Sequence, residues 1–265
     1  MLLVVDIGNS NITLGLYDGD ELKKTFRFIS DITLPETDYE EEFKRTFNDY
    51  KIDGCIISSV VEELNKRIIN ICQKLFGIKP LLLNHETDTG IVIDTENPSS
   101  VGADRIANVS IAYKMYKGPV IVVDIGTATT FDIVSKDGRF FGGVIIPGLR
   151  MQLKSLNINT SKLPQVEIKP SENAIGTDTE SCILSGVIRG SAYAIKGLIE
   201  QCEKELGEKA TIVATGGYSK LLAEYIPSVF DHINPNLTLD GLRDIYYRNC
   251  LVKEAWQVLY SLSPT

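Results

Sequence analysis

The 265-residue chain contains no G-x-x-x-x-G-K-[ST] and no G-x-G-x-x-G, so the P-loop and dinucleotide-binding readings lose their defining loops. It has no C-x-x-C pair. Its five cysteines, Cys55, Cys72, Cys182, Cys202 and Cys250, are odd in number and widely spaced. That excludes a disulfide framework or zinc ribbon and reads as reduced thiols of a cytoplasmic protein. The two histidines, His85 and His232, lack metal-ligand spacing and read as structural. Positive charge is short: 27 Lys and Arg stand against 35 Asp and Glu, a net charge of −8. Such a chain is repelled by nucleic acid and anionic lipid, and neither is expected as a partner. No apolar run approaches the ~20 residues of a membrane span, so no membrane association is expected. Residues 1–7 are apolar, but they lack a basic leader and are broken by Asp6. They read as a first buried strand and not as a signal peptide.

What the chain does have is an internal repeat. Val4-Val5-Asp6-Ile7-Gly8 recurs unchanged as Val122-Val123-Asp124-Ile125-Gly126. The flanks repeat as well. After the first copy come a β-rich run (12–17), the turn Asp18-Gly19 and a third run (22–29). After the second come 129–134, Asp137-Gly138 and 140–146. Asp-Gly between β-rich runs is a hairpin signal. Each half therefore reads as strand, tight loop, strand, hairpin turn, strand. Helices are predicted over 36–50, 62–76, 102–116 and 180–206, with Gly77 as a stop, and a further helix opens at Ser219. Short strands are predicted at 80–83 and 211–214. Trp256 and its apolar neighbours are expected to dock the last helix. The pattern predicts an α/β protein of two similar halves, 1–117 and 118–265, with a cleft between them.

Each Asp-Ile-Gly loop follows a buried strand, so the aspartate stands at a strand end. The glycine allows a sharp turn and brings backbone N–H groups close to an anion. Asn9, Ser10, Asn11 and Thr13 add polar groups to the first loop, and Thr127, Thr129 and Thr130 to the second. One such loop would pass as a hairpin with a polar tip. Two of them favour a pair of phosphate-gripping loops, with the carboxylates holding cations that neutralise the charge. Gly102-Ala103-Asp104-Arg105 opens a helix. Asp104 could cap that helix, or orient a hydroxyl and accept its proton. Arg105 and the helix dipole both favour the carboxylate, so a lowered Asp104 pKa is predicted. A weak base suffices for phosphoryl transfer, whose loose transition state needs positioning more than deprotonation. Gly142-Gly143 fits either close ligand approach or a β-bulge. Ala214-Thr215-Gly216-Gly217 reads as strand, glycine turn and helix start aimed at a nucleotide.

In order and spacing, Asp6 to Asn11, residues 102–105, 124–130 and 143–148 resemble the motif series of type III pantothenate kinases, over nearly the whole chain. The resemblance implies the actin-like ATPase superfold, with two ribonuclease H-like halves of mixed β-sheet flanked by helices. It implies ATP-dependent phosphorylation of pantothenate to 4′-phosphopantothenate, the first step of coenzyme A synthesis, with magnesium accompanying ATP. It further implies that Asp6, Ile7, Gly8, Asn9, Ser10, Asn11, Ile12 and Thr13 form an ATP phosphate loop that Thr127 supplements. Asp104 would accept the hydroxyl proton, with Gly102, Ala103 and Arg105 lining the pantothenate pocket. Asp124 would bind a monovalent cation, potassium or ammonium. Thr179 matches a pantothenate contact supplied across a homodimer interface. The chain departs from the pattern at Thr95, where the family carries a tyrosine that contacts substrate. Two alternatives remain: another sugar or small-acid kinase of the same superfold, or a nucleotide-binding regulator or filament protein without kinase chemistry.

Overall fold

A computed structural model describes residues 1–261, with side chains described through Cys250. The expected docking of Trp256 therefore lies outside the described side chains. The chain forms two compact units. The first comprises Met1–Ile91, Glu96–Ile111 and Leu237–Thr265, and the second Val92–Thr95 and Ala112–Asn236. These are not the contiguous halves 1–117 and 118–265. The chain returns to the first unit at its end because its last helix packs there.

The first unit holds β1 (Leu2–Ile7), β2 (Asn11–Asp18), β3 (Glu21–Ile29), α1 (Glu36–Phe47), β4 (Gly54–Ser59), α2 (Glu62–Phe76) and β5 (Leu81–Leu82). Its sheet runs β3-β2-β1-β4-β5. β1 is aliphatic except for Asp6, as a strand buried on both faces requires. Leu3, Val5 and Ile7 pack with Phe43 and Phe47 of α1 and with Leu64 and Ile68 of α2. The amphipathic α2 stops at Gly77, whose N–H donates to Gln73 O at 3.0 Å.

β6 (Val92–Ile93) belongs to the second sheet, α3 (Ala103–Tyr116) follows, and then come β7 (Val120–Ile125), β8 (Ala128–Val134) and β9 (Arg139–Pro147). α4 (Leu149–Ile158), α5 (Thr179–Leu184), a π-helical turn (Ser185–Arg189), α6 (Gly190–Leu206), β10 (Thr211–Thr215), α7 (Ser219–Ala223) and β11 (His232–Ile233) complete the second unit. The final helix, α8 (Leu237–Ser261), joins the first. The second sheet runs β11-β10-β7-β8-β9-β6. Apart from β6 at its edge, this is the strand order of the first sheet.

The repeat extends to fine detail. Ile121, Val123 and Ile125 enter the second core as Leu3, Val5 and Ile7 enter the first. The register slips between Leu16 and Tyr17 in one hairpin and between Ile133 and Val134 in the other. β4 and α4 have no counterpart in the sequence expectations, and the helix predicted over 180–206 is broken by the π-helical turn. The helical stretch Thr179–Leu206 is apolar and long enough to cross a membrane by length and composition. Half of its most apolar window is buried, however, with Ile183, Val187, Ile188, Ala192, Ile195 and Ile199 in the second core.

Candidate active site

In the first unit, β1 ends at Asp6 and Ile7 and turns through Gly8, Asn9 and Ser10 into β2. Gly8 N–H donates to Asn11 O at 2.9 Å and closes the loop. Ile7 and Ile12 are buried at its base, Thr13 is half-buried, and Asn9, Ser10 and Asn11 are exposed at its tip. A rigid apolar base thus presents a polar tip. Asp6 lies opposite Thr13 on β2 and Ser58 on β4. The fully buried Ser58 donates its Oγ hydrogen to Asp6 Oδ1 at 3.0 Å and fixes the direction of the carboxylate. Sequence reasoning missed Ser58. Its one signal was the apolar run Cys55-Ile56-Ile57 ending in two serines.

The start of α3 adjoins this loop through Val60. Val60 N–H donates to Ile7 O at 3.0 Å, and its side chain lies 3.4 Å from where a Cβ on Gly102 would stand. That Cβ would also lie 2.5 Å from Asp104 Oδ1, so glycine is what leaves room for the carboxylate. Asp104 Oδ1 accepts the Arg105 backbone N–H at 2.8 Å. Burial pushes the Asp104 pKa above its ordinary value, against the hydrogen bond from Arg105 N–H and the charge of Arg105, which pull it down. The predicted lowering is therefore reversed. The sequence displays the nearby charge but not the loss of water, and the loss of water wins. The result is a more basic carboxylate, better matched to accepting a proton near neutral pH.

In the second unit, β7 ends at Asp124 and Ile125 and turns through Gly126 and Thr127 into β8. Gly126 N–H donates to Ala128 O at 3.0 Å, making this loop one residue shorter than the first. Gly148 N–H reaches Thr127 O at 3.2 Å. Asp124 lies opposite Thr130 on β8 and Thr215 on β10. The turn at Gly216 rides directly on it. Gly216 has φ +85°, and a Cβ there would stand 2.6 Å from Asp124 Oδ1 and 2.5 Å from Ile125 O. Only glycine fits both the conformation and the space. Among the described residues no group of three or more His, Cys, Asp or Glu could hold a metal. A single carboxylate among threonines and main-chain oxygens is a hard, low-charge donor set. It fits a monovalent cation and does not fit a soft transition metal.

Thr95 follows β6, with its methyl group 3.6 Å from the Cβ position of Gly142 in β9. Its Oγ1 is shielded from water and has no hydrogen-bond partner. Such a hydroxyl costs about 1–3 kcal/mol until something pairs with it. Thr179 is exposed at the start of α5. Before it, Asp178 Oδ1 accepts Ser181 N–H at 2.9 Å in a capping box. Within the first unit, then, the loop of residues 6–13 and the 102–105 turn come together. Within the second, Asp124, Thr127 and the 216–217 turn do so. Thr95 and Thr179 are held by separate sets of contacts.

The chain matches the family model for type III pantothenate kinase over residues 2–201. It is 39% identical to the type III pantothenate kinase of Moorella thermoacetica, covering 94% of this chain and 100% of that one. It is 40% identical to the type III pantothenate kinase of Roseiflexus castenholzii, covering 94% and 99%. Among solved structures, a Campylobacter jejuni protein described as a Baf family transcriptional activator superimposes with a TM-score of 0.61 at 26% identity, covering 93% of this chain and 98% of that one. A ROK family glucokinase from Streptomyces griseus superimposes with a TM-score of 0.53 at 12% identity, covering 93% and 99%, and shares the fold.

Proposed function

The chain belongs to the type III pantothenate kinase family, and from that premise we propose how its two aspartate loops and Asp104 divide the work. The reaction is phosphorylation of pantothenate by ATP, a step of coenzyme A biosynthesis. In our reading the loop of residues 6–13 binds the ATP phosphates through its backbone N–H groups and polar tip, and Thr127 adds a contact. Asp104 accepts the proton of the pantothenate hydroxyl as its oxygen attacks the γ-phosphorus. Gly102, Ala103 and Arg105 line the pantothenate pocket, and Thr95 Oγ1 meets a polar group of the substrate. Thr179 contacts pantothenate across a homodimer interface. Asp124 holds potassium or ammonium. Bound cations, including the magnesium that accompanies ATP, neutralise phosphate charge. We place the enzyme in the cytoplasm.

The observation that carries this reading is the Asp104 carboxyl. It stands beside the first phosphate loop through Val60 and is made more basic by burial. Phosphoryl transfer needs an acceptor for one proton and firm positioning for the rest. Asp104→Asn should lose at least about 100-fold in pantothenate-dependent ADP release, the usual scale of general-base catalysis. ATP binding measured by calorimetry should remain. Full turnover in that variant would remove Asp104 from its role.

A second reading rests on Thr95, whose smaller side chain stands where the family carries tyrosine. A preferred acceptor other than pantothenate, another hydroxy acid or a sugar, would favour it.

A further inference from the structure

The segment leading into Thr179 has no regular secondary structure from Asn159 onward, yet side chains of α5, of the π-helical turn and of the turn after α7 pin it. Past its midpoint, Tyr225 Oη accepts Ser171 N–H at 2.6 Å and donates to Ser171 O at 3.2 Å. Arg189 covers the same point. Its guanidinium carbon lies 5.0 Å from the centre of the Tyr225 ring. Its Nη2 donates to Ser171 O and Glu172 O, both at 2.9 Å, and its Nε donates to Ser171 Oγ at 3.3 Å. Further along, Ser185 Oγ donates to Ala174 O at 2.6 Å. At the far end, Ser181 Oγ accepts the N–H groups of Thr177 and Asp178, both at 3.1 Å.

Ser185 and Arg189 are the first and last residues of the π-helical turn. Helices widen in this way mostly as single turns, frequently at functional sites. The widened turn faces the segment with a hydroxyl and a planar fork of donors. Nothing in the phosphate chemistry uses it.

We propose that Arg189 is a positioning residue for pantothenate. With Tyr225 it anchors Ser171 and Glu172, and so sets where Thr179 stands. This rests on the assignment of Thr179 to pantothenate. Lysine replaces the fork only in part, because an ammonium keeps the charge but does not reach two carbonyls and a hydroxyl while stacking on a ring.

The test is steady-state kinetics with separate KM values for pantothenate and ATP on Arg189→Gln, Arg189→Lys, Tyr225→Phe and Thr179→Val. Removing charged hydrogen bonds to a positioning segment should raise the pantothenate KM of Arg189→Gln about tenfold. Its kcat and ATP KM should stay within about twofold, since only uniform substrate binding is lost. Arg189→Lys should recover part of the loss. Tyr225→Phe keeps the ring under Arg189 but frees Ser171, and should shift the same constant. It decides the matter if the Arg189 variants do not fold. An unchanged pantothenate KM in Arg189→Gln and Tyr225→Phe, with a raised one in Thr179→Val, overturns the positioning role and leaves Thr179 in place. An equal fall of kcat and of ATP affinity also overturns it, as general damage. An unchanged pantothenate KM in Thr179→Val overturns the assignment of Thr179, and the positioning role that rests on it falls with it.

Discussion

In the proposed reading, Asp104 accepts the proton of the pantothenate hydroxyl. Burial raises its pKa, so the acid limb of kcat/KM should lie above the ordinary carboxylate range. A pH profile of pantothenate turnover checks this, and a limb at or below that range would contradict it. The same shift has a sign for stability. The folded pKa lies above the unfolded one, so the fold disfavours the ionised form. The contribution of this residue to stability is therefore greatest below the unfolded pKa and declines as pH rises through the folded one. Asp104→Asn, which keeps an acceptor for Arg105 N–H, should match or exceed the parent Tm at pH 7 while losing activity. Calorimetry showing a clearly lower Tm would argue against it. Ser58→Ala should free the Asp6 carboxylate at a cost of about 1 kcal/mol, read as a severalfold higher ATP KM. The sequence made Asp6, Asp104 and Asp124 visible as residues, because strand-end and helix-start patterns mark them. It could not show the burial of Asp104 or the reach of Ser58, since both depend on neighbours distant in the chain.

At the level of elements, the two copies of Val-Val-Asp-Ile-Gly open loops of different length. The hairpins were legible because Asp-Gly turns and alternating β-rich runs are local signals. The one-residue difference in loop length emerged only from the strand pairing. β4 escaped notice because its apolar run, Cys55-Ile56-Ile57, is too short to mark a strand by itself. The π-helical turn has no composition signal, so 180–206 read as one α-helix. The Gly216 turn was legible as a glycine turn, but its seat on Asp124 was not. Gly216→Ala would force an alanine into φ +85° and its Cβ to within 2.6 Å of Asp124 Oδ1. That variant should lose at least about tenfold in turnover together with its response to potassium, because a displaced carboxylate no longer holds the ion. Unchanged activation by potassium in Gly216→Ala would detach Asp124 from the cation.

At the scale of the whole molecule, the chain end completes the first unit. Leu237, Leu239, Leu242 and Ile245 of α8 are buried there. Tyr17 Oη donates to Asp240 Oδ1 at 2.7 Å, and Thr238 Oγ1 to Asn108 Oδ1 at 2.8 Å. Each buried aliphatic side chain contributes about 1.5–3 kcal/mol, so losing four costs on the order of the whole normal margin of stability, about 5–15 kcal/mol. A chain ending at residue 236 should not give a cooperatively folded first unit, as circular dichroism melting would report. This return is not legible in the sequence, because a cut between two tandem repeats is the simplest division and the last helix carries no motif. The function of the molecule turns on the acceptor it phosphorylates. The most direct measurement is ADP release across a panel of acceptors, pantothenate against other hydroxy acids and sugars, with magnesium and ATP, with and without potassium. Turnover should depend on pantothenate, prefer it over every other acceptor and rise with potassium. A different preferred acceptor, or no pantothenate-dependent turnover by folded protein, would contradict the proposed function.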